Sequence, residues 1–164
     1  MLIVLSGLPG VGKTTVARAL ARRMNAIHIR IDTIELALHE AGHTPHDEGY
    51  RVAYAVAEDN LRLGHIVIAD SVNPLPVTRE AWAEVAARSG VRLVDVELVC
   101  SDEHEHRRRV EDRLGLPPAQ SGPTWEQVVT RDYRRWTSER IVVDTAGREI
   151  DQIVRELQAQ LPTL

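Results

Sequence analysis

Gly7-Leu8-Pro9-Gly10-Val11-Gly12-Lys13-Thr14 has the spacing GxxxxGK[ST], the pattern of a loop that wraps a phosphate chain. Its glycines let successive backbone N–H groups converge on phosphate oxygens. Its lysine reaches between β- and γ-phosphates, and its threonine hydroxyl is placed to ligate Mg²⁺. Lys13 is the only lysine, since 19 of the 20 Lys plus Arg residues are arginine. A planar guanidinium is too bulky for that position, whereas a compact ammonium on a flexible stem fits it. The bare pattern arises by chance in about one chain of this length in 200.

Two carboxylates stand where such a loop would need them. Asp32 follows Ile29-Arg30-Ile31, read as the end of a second strand, and Asp70 follows Ile66-Val67-Ile68-Ala69, read as the end of a third. Phosphoryl transfer to a hydroxyl calls for one carboxylate to receive the proton and another to hold Mg²⁺ through its water shell. The expected assignment is Asp32 as base and Asp70, with Thr14, on the metal, with the reverse assignment as the alternative. Asp32 also precedes a helical run and could be a cap; Asp70 precedes Ser71, Asn73 and Pro74 and could be a turn residue.

Arginines supply the remaining charge. In His104-Glu105-His106-Arg107-Arg108-Arg109-Val110-Glu111-Asp112-Arg113, Arg109 and Arg113 lie one turn apart and can close over a transferring phosphoryl group. The Glu103–Arg107 and Glu105–Arg109 spacings equally suit a solvated helix face. His104 and His106, two apart on a helix, diverge too far to share a metal. Arg79 lies close to the end of the third strand and, with Asn73, is a candidate for holding an acceptor. Tyr54 and Tyr50, together with His39, His43 and His46, can hydrogen-bond a polyol or stack on a ring. Asp144-Thr145-Ala146-Gly147 ends the last strand, which puts Thr145 near a nucleotide base.

The elements that must position these groups are legible as alternating strands and helices. Strands are expected at Leu2–Ser6, Ala26–Ile31, His65–Ala69, Arg92–Cys100 and Arg140–Val143. Helices are expected at Lys13–Met24, Thr33–Ala41, Tyr50–Leu63, Pro76–Ser89, Asp102–Leu114, Thr124–Trp136 and Arg148–Leu161. Thr124 and Gln127 form a plausible capping box, with Arg131, Arg134 and Arg135 farther along that helix. Gly42–Gly49 and Gly115–Pro123 are rich in turn formers and read as loops, the second as part of a lid over about residues 107–135.

The 164 residues suit one domain, with 43% hydrophobic content and no Phe, so the core is expected to be aliphatic. Trp82, Trp125 and Trp136 are read chiefly as packing residues. A single cysteine, Cys100, forms no internal disulfide and is expected to be a small buried hydrophobe. A strand begins almost at Met1, without a basic or long apolar leader, so a cytoplasmic location and no membrane association are expected. A net charge of −4 disfavours a surface that grips duplex nucleic acid.

Taken together, Gly7 to Thr15, Asp32, Asp70-Ser71-Val72-Asn73-Pro74, the arginine run from His106 to Arg113 and the stretch before Pro123-Thr124-Trp125 resemble the P-loop kinases of the small-molecule type, the zeta-toxin-like group labelled AAA_33. Chloramphenicol phosphotransferase, gluconate kinase and shikimate kinase are similar in plan. The resemblance implies an α/β three-layer P-loop NTPase fold, with a five-stranded parallel sheet ordered 2-3-1-4-5 and a helical lid. It also implies ATP and Mg²⁺ and a carboxylate after the second strand. Its cofactor set corresponds here to Gly7, Pro9, Gly10, Val11, Gly12, Lys13, Thr14, Thr15, Arg109 and Thr145. Asp32 is followed by Thr33 and Ile34 rather than by a DxD, a departure that bears on the acceptor and not on the donor.

The expected activity is therefore transfer of the γ-phosphoryl group of ATP to a hydroxyl of a small molecule, with Lys13, Asp32, Arg109 and Arg113 as the catalytic set. The acceptor would meet Asp32, Asp70, Asn73, Arg79 and Tyr54. A nucleoside, nucleotide or polynucleotide 5′-kinase is the first alternative, and a regulatory ATPase the second. A GTPase switch would read guanine through Asn-Lys-x-Asp, and this chain has no lysine with which to build that motif.

Overall fold

The computed structural model describes residues 1–117 and 122–162. Five strands, β1 (Leu2–Ser6), β2 (Ile27–Arg30), β3 (Val67–Asp70), β4 (Leu93–Val99) and β5 (Ile141–Asp144), form one parallel sheet in the order β2-β3-β1-β4-β5. Seven helices accompany them among the described residues: α1 (Lys13–Met24), α2 (Ile31–Glu40), α3 (Glu48–Arg62), α4 (Pro76–Arg88), α5 (Glu103–Glu111), α6 (Trp125–Val129) and α7 (Ile150–Gln160). This is the expected three-layer P-loop arrangement.

The layers follow from side-chain alternation. Ile3 and Leu5 of β1 face Val16, Leu20, Ile153 and Leu157 of α1 and α7. Leu2 and Val4 face Ala53, Ala57, Trp82 and Val85 of α3 and α4. A strand covered on both faces reads as an unbroken apolar run, and all five residues of β1 are buried. Both clusters are aliphatic apart from Trp82, as a chain without Phe requires. No helix among the described residues is long and apolar enough to cross a membrane.

Parallel pairing brings the strand ends to one edge. Leu5 lies opposite Asp70, and Asp70 opposite Arg30, so the phosphate loop after β1, the carboxylate of β3 and the start of α2 share the carboxyl rim of the sheet. Several boundaries depart from expectation. β2 stops at Arg30 and α2 begins at once with Ile31, whose buried side chain packs under α3, so Asp32 occupies the first turn of a helix and not a strand end. α3 starts two residues early, at Glu48.

The largest difference is α6, which has a capping box from Thr124 and Gln127 as expected but ends at Val129. Arg131, Arg134 and Arg135 are therefore not on that helix. The Arg79 guanidinium donates to the carbonyl of Arg134 at 2.7 Å and that of Arg135 at 3.4 Å, and the Arg134 N–H donates to the Pro74 carbonyl at 2.9 Å. These long-range bonds hold the backbone on a non-helical path, outweighing local helix preference. The expected loop Gly115–Pro123 and lid 107–135 include residues 118–121, which lie outside those described. Cys100 is partly exposed, not buried, because β4 ends one residue before it.

Candidate functional site

The phosphate loop is built by close approach. Gly7, Gly10 and Gly12 have φ of 141°, 88° and 92°. A Cβ on Gly7 would lie 2.3 Å from the Leu98 carbonyl oxygen, and one on Gly10 2.5 Å from a Val110 methyl. Only glycine satisfies both the backbone angle and the space. Gly12 precedes α1, whose first N–H groups and positive dipole end face the cradle. The fully buried β1 before the loop and the alanine-rich helix after it fix its direction.

Lys13 is buried, and its ammonium donates to the Leu8 carbonyl at 2.9 Å. Burial pulls its pKa down to about 8, against the raising charges of Asp70 and Asp32; Arg113 and Arg131 depress it further. An anion delivered to the loop would raise that value again.

Asp70 sits beneath the loop at 2% exposure. Burial alone would raise its pKa, but the His28 hydrogen bond, the Lys13 charge and the Thr14 hydroxyl hold it below the ordinary carboxylate range. His28 Nε2 lies 3.3 Å from Asp70 Oδ2, and Arg30 Nε lies 4.0 Å away. Arg30 also donates from Nη2 to Asp32 at 2.8 Å, so one guanidinium spans both carboxylates. Asp32 itself is more than half exposed and lines the cleft. No group of three His, Cys, Asp or Glu side chains able to hold a metal occurs among the described residues. Thr14 and the buried Asp70 nonetheless fit Mg²⁺, which keeps several waters and takes few protein ligands beside phosphate oxygens.

The loop, Asp32 and the expected lid open onto one cleft of about 1270 Å³. Pro9, Gly10, Gly12, Lys13, Thr14 and Thr15 line its phosphate end, with Arg109, Arg113, Arg131 and Thr145 beside them. Arg109 donates to the Thr145 hydroxyl at 2.9 Å and to Glu105 at 2.6 Å, and Thr145 spans to the Val11 and Val99 carbonyls at 2.9 and 3.1 Å. Thr145 thus ties the loop to β4 with its hydroxyl. The other end of the cleft is lined by Tyr50, Tyr54, His46 and Glu35.

Three expected acceptor residues do not line the cleft: Asp70, buried beneath the loop, and Asn73 and Arg79. Asn73 is fully buried with φ 48°, donating to the Ser6 hydroxyl at 3.0 Å. The Arg79 guanidinium, 8% exposed, is enclosed by the carbonyls of Asn73, Pro74, Arg134 and Arg135 and lies 4.0 Å from the centroid of the Trp136 ring. Asn73 and Arg79 serve the architecture of the rim. His39 and His43 are exposed and also do not line it.

Glu35 and His28 have no place in the sequence reading, and His106 has a different one. Glu35 lies on the cleft one helical turn after Asp32, a spacing that signals a shared face. Burial and the Asp32 charge raise its pKa, with Arg131 opposing. His28 alternates two residues before Arg30 on β2 with no local signature; His106, weighed above only against a metal shared with His104, packs on the phosphate loop from α5.

A parallel sheet in this order, carrying a GxxxxGK[ST] loop at the end of its central strand, defines a P-loop NTPase fold. Residues 2–136 match the family AAA_33, described as an AAA domain, and the chain belongs to that family. No curated protein matches the sequence. Among solved structures, the Mycobacterium tuberculosis APS kinase in complex with AMPPNP and APS is 21% identical, with a TM-score of 0.72 over 96% of this chain and 95% of that one. A gluconokinase from Sinorhizobium meliloti 1021 is 23% identical, with a TM-score of 0.64 over 96% and 89%. Chaetomium thermophilum Kti12 in complex with ADP-AlF3 is 21% identical, with a TM-score of 0.66 over 99% and 100%. At these identities the likeness is one of fold.

Proposed function

We propose that the chain is an ATP-dependent phosphotransferase that moves the γ-phosphoryl group of ATP to a hydroxyl of a small molecule. The observation that supports this most directly is the continuity of the cleft, which runs from the phosphate loop past Asp32 to an aromatic compartment large enough for a second ligand. A hydrolase needs only room for water beyond the γ-phosphate. The kinases among the structures of similar fold, one bound to a nucleotide analogue and a second small molecule, agree with this reading.

In this account the acceptor oxygen attacks the γ-phosphorus, its proton passes to the Asp32 carboxylate, and the bond to the β-phosphate oxygen breaks to leave ADP. Arg30 orients Asp32 by the 2.8 Å contact. Lys13 leaves the Leu8 carbonyl for the β- and γ-phosphate oxygens. Arg109, Arg113 and Arg131 surround the growing charge, as members of a single domain whose lid spans about residues 107–135. Thr14, and Asp70 through a water, would hold Mg²⁺, which would supply charge neutralisation at the phosphates.

The test is a screen of hydroxyl acceptors with ATP and Mg²⁺, with ³¹P NMR of the products. A phosphate ester formed in step with ADP supports the reading. Inorganic phosphate as the sole product for every acceptor, with hydrolysis stimulated by a protein partner, would replace it with a regulatory ATPase.

A further inference from the structure

The half of the cleft remote from the phosphate loop has a definite chemistry. Tyr50 and Tyr54 rise from α3 one turn apart, their ring centroids 6.0 Å from each other. Both hydroxyls are turned into the protein: Tyr50 accepts from the Asn73 N–H at 3.1 Å, and Tyr54 donates to the Thr78 carbonyl at 3.3 Å. Tyr54 is braced edge-on against the fully buried Trp82 at 4.6 Å. With their polar ends engaged, the phenols offer ring carbon to the cleft. Leu75, Val77 and Ala81 continue that apolar surface, and Val77 keeps 63% exposure at the mouth.

The facing wall carries three carboxylates and three arginines, whereas Lys13, Arg18, Arg109, Arg113 and Arg148 line the rest of the cleft. Asp32, Glu35 and Asp47 line it against Arg30, Arg51 and Arg131, and Arg30 is engaged with Asp32 at 2.8 Å. Gly49 admits the Glu35 side chain: a Cβ there would lie 2.4 Å from Glu35 Cγ. α2 and α3 therefore close on each other at Glu35, whose side chain lines the cleft one helical turn from Asp32. A phosphate dianion seated here would meet three carboxylates without a surplus of positive charge.

Resting on the phosphotransferase reading, we infer that the acceptor is an uncharged hydroxyl compound with an aromatic or flat apolar face, and not a nucleotide or another phosphorylated molecule. Its face lies on Tyr50 and Tyr54, the reacting hydroxyl meets Asp32, and a second hydroxyl donates to Glu35. Stacking on a ring already fixed in place costs little conformational entropy, so the aromatic surface supplies selectivity for shape.

The experiment is calorimetric binding, with AMPPNP and Mg²⁺ present, of glucose, phenyl glucoside, phenyl glucoside 6-phosphate and adenosine 5′-monophosphate. Transfer from ATP to each compound is followed separately. Phenyl glucoside is expected to bind at least about 10-fold more tightly than glucose, and its 6-phosphate about 10-fold more weakly than the parent. Tyr54→Leu should erase the phenyl preference, whereas Tyr54→Phe should keep it, with melting curves checking that each variant folds. Glu35→Gln should weaken phenyl glucoside while leaving the phenyl-to-glucose ratio intact. Absence of a phenyl preference, or tightest binding by either phosphate compound, overturns the inference whether or not transfer occurs. Absence of transfer to every compound counts against the phosphotransferase reading alone.

Discussion

His106 Nε2 lies 2.8 Å from the carbonyl oxygen of Pro9, joining α5 to the middle of the phosphate loop. The ring is 7% exposed and meets Trp125 of α6 edge-on at 5.1 Å. This residue of α5 therefore joins the phosphate loop to α6, which falls within the expected lid. Val110, on the next turn, fills the space over Gly10.

Replacing that strut should loosen the cradle. His106→Ala removes one hydrogen bond and one ring contact, worth about 0.5–1.5 kcal/mol for the bond alone. We expect AMPPNP to bind about 3- to 10-fold more weakly, measured by titration calorimetry. Gly10→Ala should be more damaging, because an L side chain is strained at φ 88° and its Cβ meets Val110 at 2.5 Å. Unchanged affinity in both variants would detach α5 from nucleotide binding.

Lys13 gives the nucleotide a pH dependence. In the free protein its ammonium titrates at about 8, and a bound triphosphate raises that value by supplying opposite charge. Below pH 8 the lysine is already charged, so affinity is flat on its account. Above pH 8 binding must take up a proton, and affinity should fall by up to about 10-fold per pH unit until the bound-state value is reached. Calorimetry at pH 7 and pH 9, in buffers of different ionisation enthalpy, reads both the affinity and the proton uptake.

Asp95 should be a stability liability at neutral pH. Burial pushes its carboxyl up to about 6 despite the Arg79 charge, and Oδ1 has no hydrogen-bond partner. A folded-state value above the unfolded one of about 3.9 means that the folded protein holds the extra proton, so stability declines as pH rises from about 4 to 6. Asp95→Asn should remove the decline and raise the melting temperature at pH 7.5 by about 2–4 °C, corresponding to about 1 kcal/mol after allowance for partial exposure. Equal melting temperatures of the two proteins at pH 7.5 would contradict it.

Arg79 should matter for folding more than for acceptor affinity. Four carbonyls and the Trp136 ring surround it, and Trp136 in turn donates to Tyr133, which donates to Glu97. Arg79→Met should cost about 2–4 kcal/mol by leaving buried carbonyls unpaired. Denaturant melts measure that loss. A large rise in acceptor KM without loss of stability would return Arg79 to the substrate.

The sequence disclosed what local pattern controls. β1, the glycine loop and α1 were readable because an apolar run, three glycines and an alanine-rich stretch each dictate their own conformation. Thr124 announced the start of α6 by capping chemistry. The misreadings involve distant partners. Nothing near Arg79 in the chain reveals that its guanidinium will be caught by carbonyls of Arg134 and Arg135, and the same capture explains why α6 stops at Val129. Asp32 was identifiable as a carboxylate of the rim, but its place on a helix depends on Ile31 packing beneath α3. Glu35 was within reach of sequence reasoning, since it stands one turn from Asp32; its position against Gly49 was not.

In the proposed reaction Asp32 receives the acceptor proton, while the phosphate loop and the groups beside it, and not Asp32, hold the nucleotide. Asp32→Asn tests this division most directly, by single-turnover transfer from γ-labelled ATP to an accepted hydroxyl compound, alongside AMPPNP binding. The account predicts transfer reduced by about 100-fold or more with AMPPNP affinity within about 3-fold of wild type. Equal transfer rates for the two proteins would contradict it.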